Sequence, residues 1–209
     1  MTPPRTLKIV EIFPSFQGEG LRQGEPVIFV RLAGCNLRCS FCDTKYAWHG
    51  GRDLGIAEIL REIRLARRRF PAEWICLTGG EPFLQDIRPL VLSLKKAGLK
   101  VQIETNGTIF KRLGADWLTV SPKPKNYVFD PRLRTRAREV KLIVSRELAF
   151  ATLERIRREF PPKTPLLLQA ESNAPWSMAK GLRLQSRALR RGFTNIRVSA
   201  QLHKVYHRP

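Results

Sequence analysis

Long hydrophobic runs are missing from this chain. The longer ones, such as Pro165-Leu166-Leu167-Leu168, have the length of a strand and are far too short to cross a membrane, so no membrane association is expected. Met1 to Lys8 contain no apolar core of the kind an export signal needs, and they do not resemble a transit peptide. Acidic residues are scarce: 18 Asp and Glu stand against 38 Lys and Arg, which leaves a formal charge of +20. Such a surface is strongly positive. It suits a nucleic acid, an anionic small substrate or simply water. Aromatic interleaving is lacking around the basic clusters Arg61 to Arg69, Lys95 to Lys100, Arg132 to Arg138, Arg155 to Arg158 and Arg187 to Arg191. No base-stacking platform is therefore evident, and a nucleic-acid partner is possible but not required. No low-complexity tract or linker interrupts the 209 residues, which read as one domain, 1–209.

Cysteine is also rare, but three of the four crowd into Gly34-Cys35-Asn36-Leu37-Arg38-Cys39-Ser40-Phe41-Cys42-Asp43-Thr44. Close spacing in a chain without an export signal argues for metal rather than disulfides, and for a reducing, cytoplasmic compartment. The spacing C-x3-C-x2-C offers three thiolates to a cubic iron–sulfur cluster and leaves one iron open to a non-protein ligand. Zinc is the rival and needs a fourth ligand, for which Cys76 or His49 is available. Cys76 stands in the apolar run Trp74-Ile75-Cys76-Leu77 and suits a buried structural thiol; His49 suits an exposed loop.

Hydrophobic periodicity predicts alternating strands and helices. Strands are expected at Leu7 to Phe13, Val27 to Ala33, Trp74 to Thr78, Leu99 to Glu104, Asp116 to Val120, Glu139 to Ser145, Pro165 to Ala170 and Asn195 to Ser199. Helices are expected at Leu54 to Phe70, Ile87 to Ala97 (closed by Gly98), Leu148 to Phe160 (closed by Pro161 and Pro162) and Pro175 to Arg191 (closed by Gly192). The fold class is α/β: an abbreviated or partial (β/α) barrel of mostly parallel strands, shorter than the ~250 residues of a full eight-fold barrel. The Pro122 to Arg138 segment, rich in Pro and basic residues, reads as a mobile loop.

Ligands in such folds collect where strands end. The cysteine loop, Thr78-Gly79-Gly80-Glu81-Pro82, Glu104-Thr105-Asn106-Gly107, Ser121-Pro122-Lys123 and Gln169-Ala170-Glu171-Ser172 all follow predicted strands. Gly79-Gly80 is either an ordinary tight turn or a place where a ligand approaches bare backbone, such as the amino group of S-adenosylmethionine.

The cysteine spacing, the aromatic Phe41 before the last cysteine, and a Gly-Gly-Glu-Pro strand end resemble the radical S-adenosylmethionine superfamily. Within it, Phe16-Gln17-Gly18-Glu19-Gly20, Arg31-Leu32-Ala33-Gly34-Cys35-Asn36-Leu37 and Cys42-Asp43-Thr44 resemble the 7-carboxy-7-deazaguanine synthase family, and the likeness covers nearly the whole chain. The resemblance implies conversion of 6-carboxy-5,6,7,8-tetrahydropterin to 7-carboxy-7-deazaguanine, with loss of ammonia, on the route to queuosine and other deazapurines. A 5′-deoxyadenosyl radical formed from S-adenosylmethionine would begin it by taking hydrogen from C6 of the pterin.

It further implies roles for residues. Cys35, Cys39 and Cys42 would ligate a 4Fe-4S cluster. Phe41, Asp43, Gly80, Glu104, Ser121, Pro122, Lys123 and Gln169 would hold S-adenosylmethionine. Phe16, Gln17, Gly18, Arg31, Thr78 and the chain-end carboxylate of Pro209 would meet the pterin. Thr44 would bind Mg2+ through its hydroxyl. Read without the resemblance, Thr44 is a helix N-cap or turn residue, Arg31 a strand-end salt bridge, and Glu104 a partner for one of many arginines. Two departures stand out: Gln169-Ala170-Glu171-Ser172 matches the family only at Gln169, and the cysteine loop carries no insertion. A flavodoxin or ferredoxin electron donor and a homodimer are implied as well. A glycyl-radical-enzyme activase shares the cysteine spacing but has no use for Phe16-Gln17-Gly18 or magnesium. A basic RNA-binding module with a structural zinc is the alternative of another class.

Overall fold

The structure is a computed structural model and describes residues 6–124 and 126–206. Pro209 therefore lies outside the described residues. By contacts the chain forms two compact units: one takes in the chain up to Phe16, Glu25–Thr105 and Lys111–Leu118; the other takes in Gln17–Gly24, Asn106–Phe110 and Thr119 onward.

The first unit holds β1 (Thr6–Phe16), β2 (Pro26–Leu32), β3 (Arg52–Gly55), β4 (Trp74–Gly79) and β5 (Lys100–Thr105), in the order β3-β1-β2-β4-β5. β2, β4 and β5 run parallel, with α1 (Ile56–Arg69) and α2 (Arg88–Lys96) in the crossovers. β1 is antiparallel to both β2 and β3. Only the short 17–25 segment joins β1 to β2, and without a helical crossover the chain has to turn back on itself.

The second unit has the parallel set β6 (Trp117–Val120, of which it contains Thr119 and Val120), β7 (Glu139–Val144), β8 (Leu166–Ala170) and β9 (Ile196–Ser199). Its crossovers are α3 (Phe150–Glu159) and α4 (Pro175–Arg190), and α5 (Leu202–Val205) follows β9. Mostly parallel strands alternating with helices are what the periodicity predicts. No helix among the described residues is long and apolar enough to cross a membrane.

In each unit the sheet has one apolar and one polar face. Registered neighbours share a face. In the first unit Ile28 pairs with Ile75, which pairs with Val101, and Val30 pairs with Leu77, which pairs with Ile103; all six are fully buried. The opposite face aligns Arg31 with Thr78, and Cys76 with Gln102. In the second unit Val140, Leu142 and Val144 are fully buried, and Val144 lies against Gly181 of α4. The other face of β7 carries Glu139 and Lys141, with Thr119 in register with Glu139, and Gln169 in register with Ile143. The helices need apolar surface: α1 buries Ile59 and Ile63 completely, each contributing ~1.5–3 kcal/mol. The polar faces thus carry the groups from which a site can be built.

Several expectations meet corrections. Leu54 belongs to β3 and not to the first helix, which starts at Ile56 with the Glu58 carboxylate accepting from the Gly55 N–H. Gly98 and Gly192 do take left-handed C-cap geometry. The Pro122 to Arg138 loop is anchored rather than mobile: Tyr127 and Leu133 are completely buried. The Tyr127 hydroxyl bonds the Ile143 carbonyl and the Ser145 hydroxyl, both at 3.1 Å.

Burial pushes the Tyr127 phenol up to about 12. The unfolded phenol ionises near 10, so the stability this group contributes is complete below about pH 10 and is lost toward about pH 12. Tyr127→Phe should cost ~0.5–1.5 kcal/mol in urea melts at pH 8. The gap from the unaltered protein should shrink as the pH passes 10, and a gap that widens there would contradict the assignment.

Candidate active site

The cysteine loop leaves β2 and is pinned at its root. The Gly34 N–H donates to the Ala47 carbonyl at 2.9 Å, and the Gly34 carbonyl accepts from the Glu81 N–H at 2.7 Å. Cys35, Cys39 and Cys42 are partly buried and form no disulfide, whereas Cys76 is wholly buried in β4. Burial pushes the Cys35 thiol up; the Leu37 N–H, 3.4 Å from its sulfur, pulls the other way. Such N–H···S bonds also suit a thiolate bound to iron.

Among the described residues, no three His, Cys or carboxylate donor atoms lying within 4.8 Å of one another include these cysteines. Tetrahedral zinc with Zn–S bonds of ~2.3 Å would draw sulfurs to about 3.8 Å apart. The wider spread, and the burial of Cys76 inside its strand, fit a cluster better than zinc. His49 is exposed beyond the 3-10 turn Lys45–Trp48, as a loop histidine should be.

Thr44 occupies the N-cap position of that turn, but its side chain makes no cap hydrogen bond. Its hydroxyl lies 3.6 Å from Cys42 Sγ and 3.5 Å from Asp43 Oδ1. The loop therefore gathers Asp43, Thr44 and Cys42, with Phe41 partly buried beside them.

Gly79 and Gly80 end β4 against the root of the cysteine loop. Gly79 has φ +121°, and a Cβ there would lie 2.2 Å from the Leu32 carbonyl oxygen. A Cβ on Gly80 would lie 1.9 Å from that of Gly34. The close approach that motivates two glycines is thus made by the chain's own backbone. Glu81, to which sequence reasoning assigned no role, is fully buried and accepts from Thr105 Oγ1 at 2.7 Å and the Phe83 N–H at 2.9 Å. It ties the end of β4 to the end of β5.

Arg31 Nε donates to Glu11 Oε1 at 2.6 Å, Tyr46 donates to the same oxygen at 2.9 Å, and the guanidinium stands 5.5 Å from the Phe13 ring centre. The strand salt bridge exists, therefore, on the polar face that also carries Thr78. Glu104, at the end of β5, accepts from Gln102 at 3.2 Å. Phe16 is set apart from these groups. It pairs with Pro26 at the other end of the β1–β2 ladder and packs edge-on against Phe70, with centroids 5.4 Å apart.

The second unit gathers the remaining residues. Lys123 Nζ donates to Ser121 Oγ at 2.8 Å, and Ser121 donates to the Lys141 carbonyl at 2.9 Å; Pro122 between them is buried. Gln169 has no exposed surface, its Oε1 accepts from Ser199 at 3.1 Å, and its Nε2 has no partner among the described residues. A buried amide donor without a partner is costly unless a ligand satisfies it. Gln17 is buried, and the Gly18 carbonyl accepts from the Leu202 N–H at 2.9 Å. A side chain on Gly18 would strike His203, so the Gln201–Lys204 tail lies directly on this loop. Sequence reasoning missed Lys141, a buried lysine inside an otherwise apolar run. Its charge within β7 was the available signal.

A loop of three available thiols at a parallel-strand end, locked to a glycine turn, is the layout of an iron–sulfur enzyme that cleaves S-adenosylmethionine. The Radical SAM superfamily pattern matches residues 29–162, and the chain belongs to that superfamily. It is 37% identical over 205 residues to the 7-carboxy-7-deazaguanine synthase of Aquifex aeolicus (strain VF5), covering 94% of this chain and 91% of the relative. With the Escherichia coli (strain K12) enzyme of the same name it shares 31% over 218 residues, 94% of this chain and 96% of the relative. The crystal structure of QueE from Escherichia coli superposes with a TM-score of 0.79 at 28% identity, over 95% of both chains. The chain belongs to the 7-carboxy-7-deazaguanine synthase family.

Proposed function

We infer that this chain converts 6-carboxy-5,6,7,8-tetrahydropterin to 7-carboxy-7-deazaguanine with loss of ammonia, in the biosynthesis of queuosine and related 7-deazapurines. The observation that carries this is the cysteine loop locked against Gly79-Gly80, in a chain aligned over 94% of its length with a synthase of that name. Cys35, Cys39 and Cys42 would hold a 4Fe-4S cluster. Together with S-adenosylmethionine, that cluster would supply a 5′-deoxyadenosyl radical.

The chain's own groups do the rest. Ser121, Pro122 and Lys123 form a small polar ledge, and Gln169 Nε2 offers an unspent donor; with Phe41, Asp43, Gly80 and Glu104 they hold the cofactor. Gln17 and Gly18, with Phe16 at the head of their loop, and Thr78 meet the pterin. So would Pro209, which lies outside the described residues. Arg31 binds the pterin carboxylate, exchanging its contact with Glu11 for the substrate's two oxygens. Thr44, whose hydroxyl is not used as a cap, binds Mg2+ together with substrate oxygens. The whole chain acts as one catalytic domain. It works in the cytoplasm as a homodimer and takes electrons from a flavodoxin or ferredoxin; the +20 surface leaves room for a nucleic-acid contact.

Arg31→Lys keeps the charge but loses the planar fork, and should raise KM for the carboxypterin about tenfold or more. S-adenosylmethionine affinity should stay unchanged; equal losses for both ligands would remove Arg31 from the pterin site. The decisive assay incubates anaerobically reconstituted protein with S-adenosylmethionine, reductant, Mg2+ and the carboxypterin. Formation of the deazaguanine is expected. Cofactor cleavage without that product would leave a different radical enzyme, such as an activase. Bound zinc with no cleavage would leave the RNA-binding module.

A further inference from the structure

We propose that Glu139 and Lys141, two buried charges on the polar face of β7, are positioning residues that hold the Gln17–Gly24 loop in the shape that binds the pterin. The proposal rests on Gln17 and Gly18 meeting that substrate. Alternate residues of a strand share a face, so the two side chains stand next to one another on it. Glu139 is 1% and Lys141 4% exposed.

Each reaches the loop at a different point. Glu139 Oε2 accepts from the Leu21 N–H at 2.8 Å, and Oε1 accepts from Thr119 Oγ1 at 2.8 Å. Lys141 donates to Glu19 Oε2, and the other oxygen of Glu19 accepts from Gln201 Nε2 at 2.6 Å. Between these anchors Gly20 has φ +78°, and a Cβ there would lie 2.3 Å from Glu139 Oε1. The loop therefore rests on the strand without clearance. Further along, Gln23 Nε2 donates to the Gly18 carbonyl at 3.0 Å and also to that of Ala200.

Stability alone does not account for this arrangement. Two buried charges cost desolvation that well-packed apolar residues of similar size would avoid. Their effect is to fix one geometry: a cation and an anion, spaced one pleat apart, select an anionic side chain and a backbone N–H of the loop. The residues so placed, Glu19 and Leu21, lie within three positions after Gly18. Gly18 is in turn bonded to Leu202 of the tail. A change at Lys141 should consequently reach pterin binding before it reaches anything that depends on the cysteine loop.

The test compares reconstituted unaltered protein with Lys141→Met, Lys141→Arg, and the double variant Lys141→Met/Glu19→Gln, which removes both charges together. Three readouts are taken: amide hydrogen exchange of peptides covering 17–24, the dissociation constant of the carboxypterin, and that of S-adenosylmethionine. Lys141→Met should speed loop exchange and weaken pterin binding by about tenfold or more each. S-adenosylmethionine affinity should stay within about twofold, and Lys141→Arg should recover most of the loss. The double variant should fold at least as well as Lys141→Met, since Glu19 is no longer a carboxylate deprived of its cation, yet still bind pterin weakly. Unchanged loop exchange in both neutral variants would overturn the proposal. So would fast exchange with unaltered pterin affinity. If the unaltered protein fails to bind carboxypterin at all, the substrate reading falls and takes the pterin half of the proposal with it. The exchange arm would still decide whether the pair holds the loop.

Discussion

Cys39→Ala should abolish cleavage of S-adenosylmethionine, and Cys76→Ala should leave it intact. The two residues are chemically identical and differ only in place. Cys39 lies on the loop between two other available thiols, where the Cys42 N–H donates to its carbonyl at 3.1 Å. Cys76 sits in the middle of β4 with no exposed surface, in register with Phe29 on one side and Gln102 on the other. Removing one of the three proposed ligands leaves two thiolates, too few to hold a cluster with a single open iron. Removing a buried sulfur leaves a small cavity and costs on the order of 1 kcal/mol of stability. After anaerobic reconstitution, Cys39→Ala should yield no 5′-deoxyadenosine above background and lose most of its iron and acid-labile sulfide. Cys76→Ala should keep both and melt somewhat earlier. Equal loss in the two variants would mean that the ligands are wrongly assigned. Zinc in place of iron would remove the enzyme reading altogether.

Gly80→Ala should be nearly as damaging, although it removes nothing. The added Cβ would lie 1.9 Å from the Gly34 carbonyl oxygen and 2.5 Å from its carbon. Both are backbone atoms at the root of the cysteine loop, and backbone cannot swing aside as a long side chain does. Relief requires the strand end and the loop to part. That strains the bonds from the Gly80 N–H to the Leu32 carbonyl, 3.0 Å, and from the Glu81 N–H to the Gly34 carbonyl, 2.7 Å. Overpacking of this kind costs ~1–3 kcal/mol before any lost hydrogen bond is counted. We expect a lower iron content on reconstitution and S-adenosylmethionine affinity reduced about tenfold or more. Gly114→Ala is the control: a Cβ there meets nothing within 4 Å. If Gly80→Ala retained iron and cofactor as well as Gly114→Ala, the contact with the cysteine loop would have no functional weight.

Much of the fold was legible because its signals are local. The apolar stripe Ile59–Ile63 marks α1, and Gly98 and Gly192 close their helices in the left-handed geometry that only glycine adopts cheaply. β3 and α5 escaped for a related reason: each has four residues, too few to establish a period, and Leu54 satisfies a strand and a helix pattern equally well. The Pro122 to Arg138 loop was misread because its composition is that of a mobile segment. Tyr127 and Leu133, both completely buried, carry it into the core, and composition does not record where single residues point.

The candidate site divides in the same way. The spacing of Cys35, Cys39 and Cys42, the Gly79-Gly80 pair and the Thr44 hydroxyl could be read from the chain, because one loop or one strand end brings each of these groups together. Sequence by itself thus picked out the cysteine loop and the family. The tertiary structure decided the pairings. Arg31 meets Glu11, 20 residues away; Leu21 is held by Glu139, 118 away; Glu19 is held by Lys141, 122 away. No periodicity encodes such partners, since a charge in a strand is equally compatible with water, a ligand or an ion pair. Which of these it meets depends on the face the strand presents and on the loop laid across it.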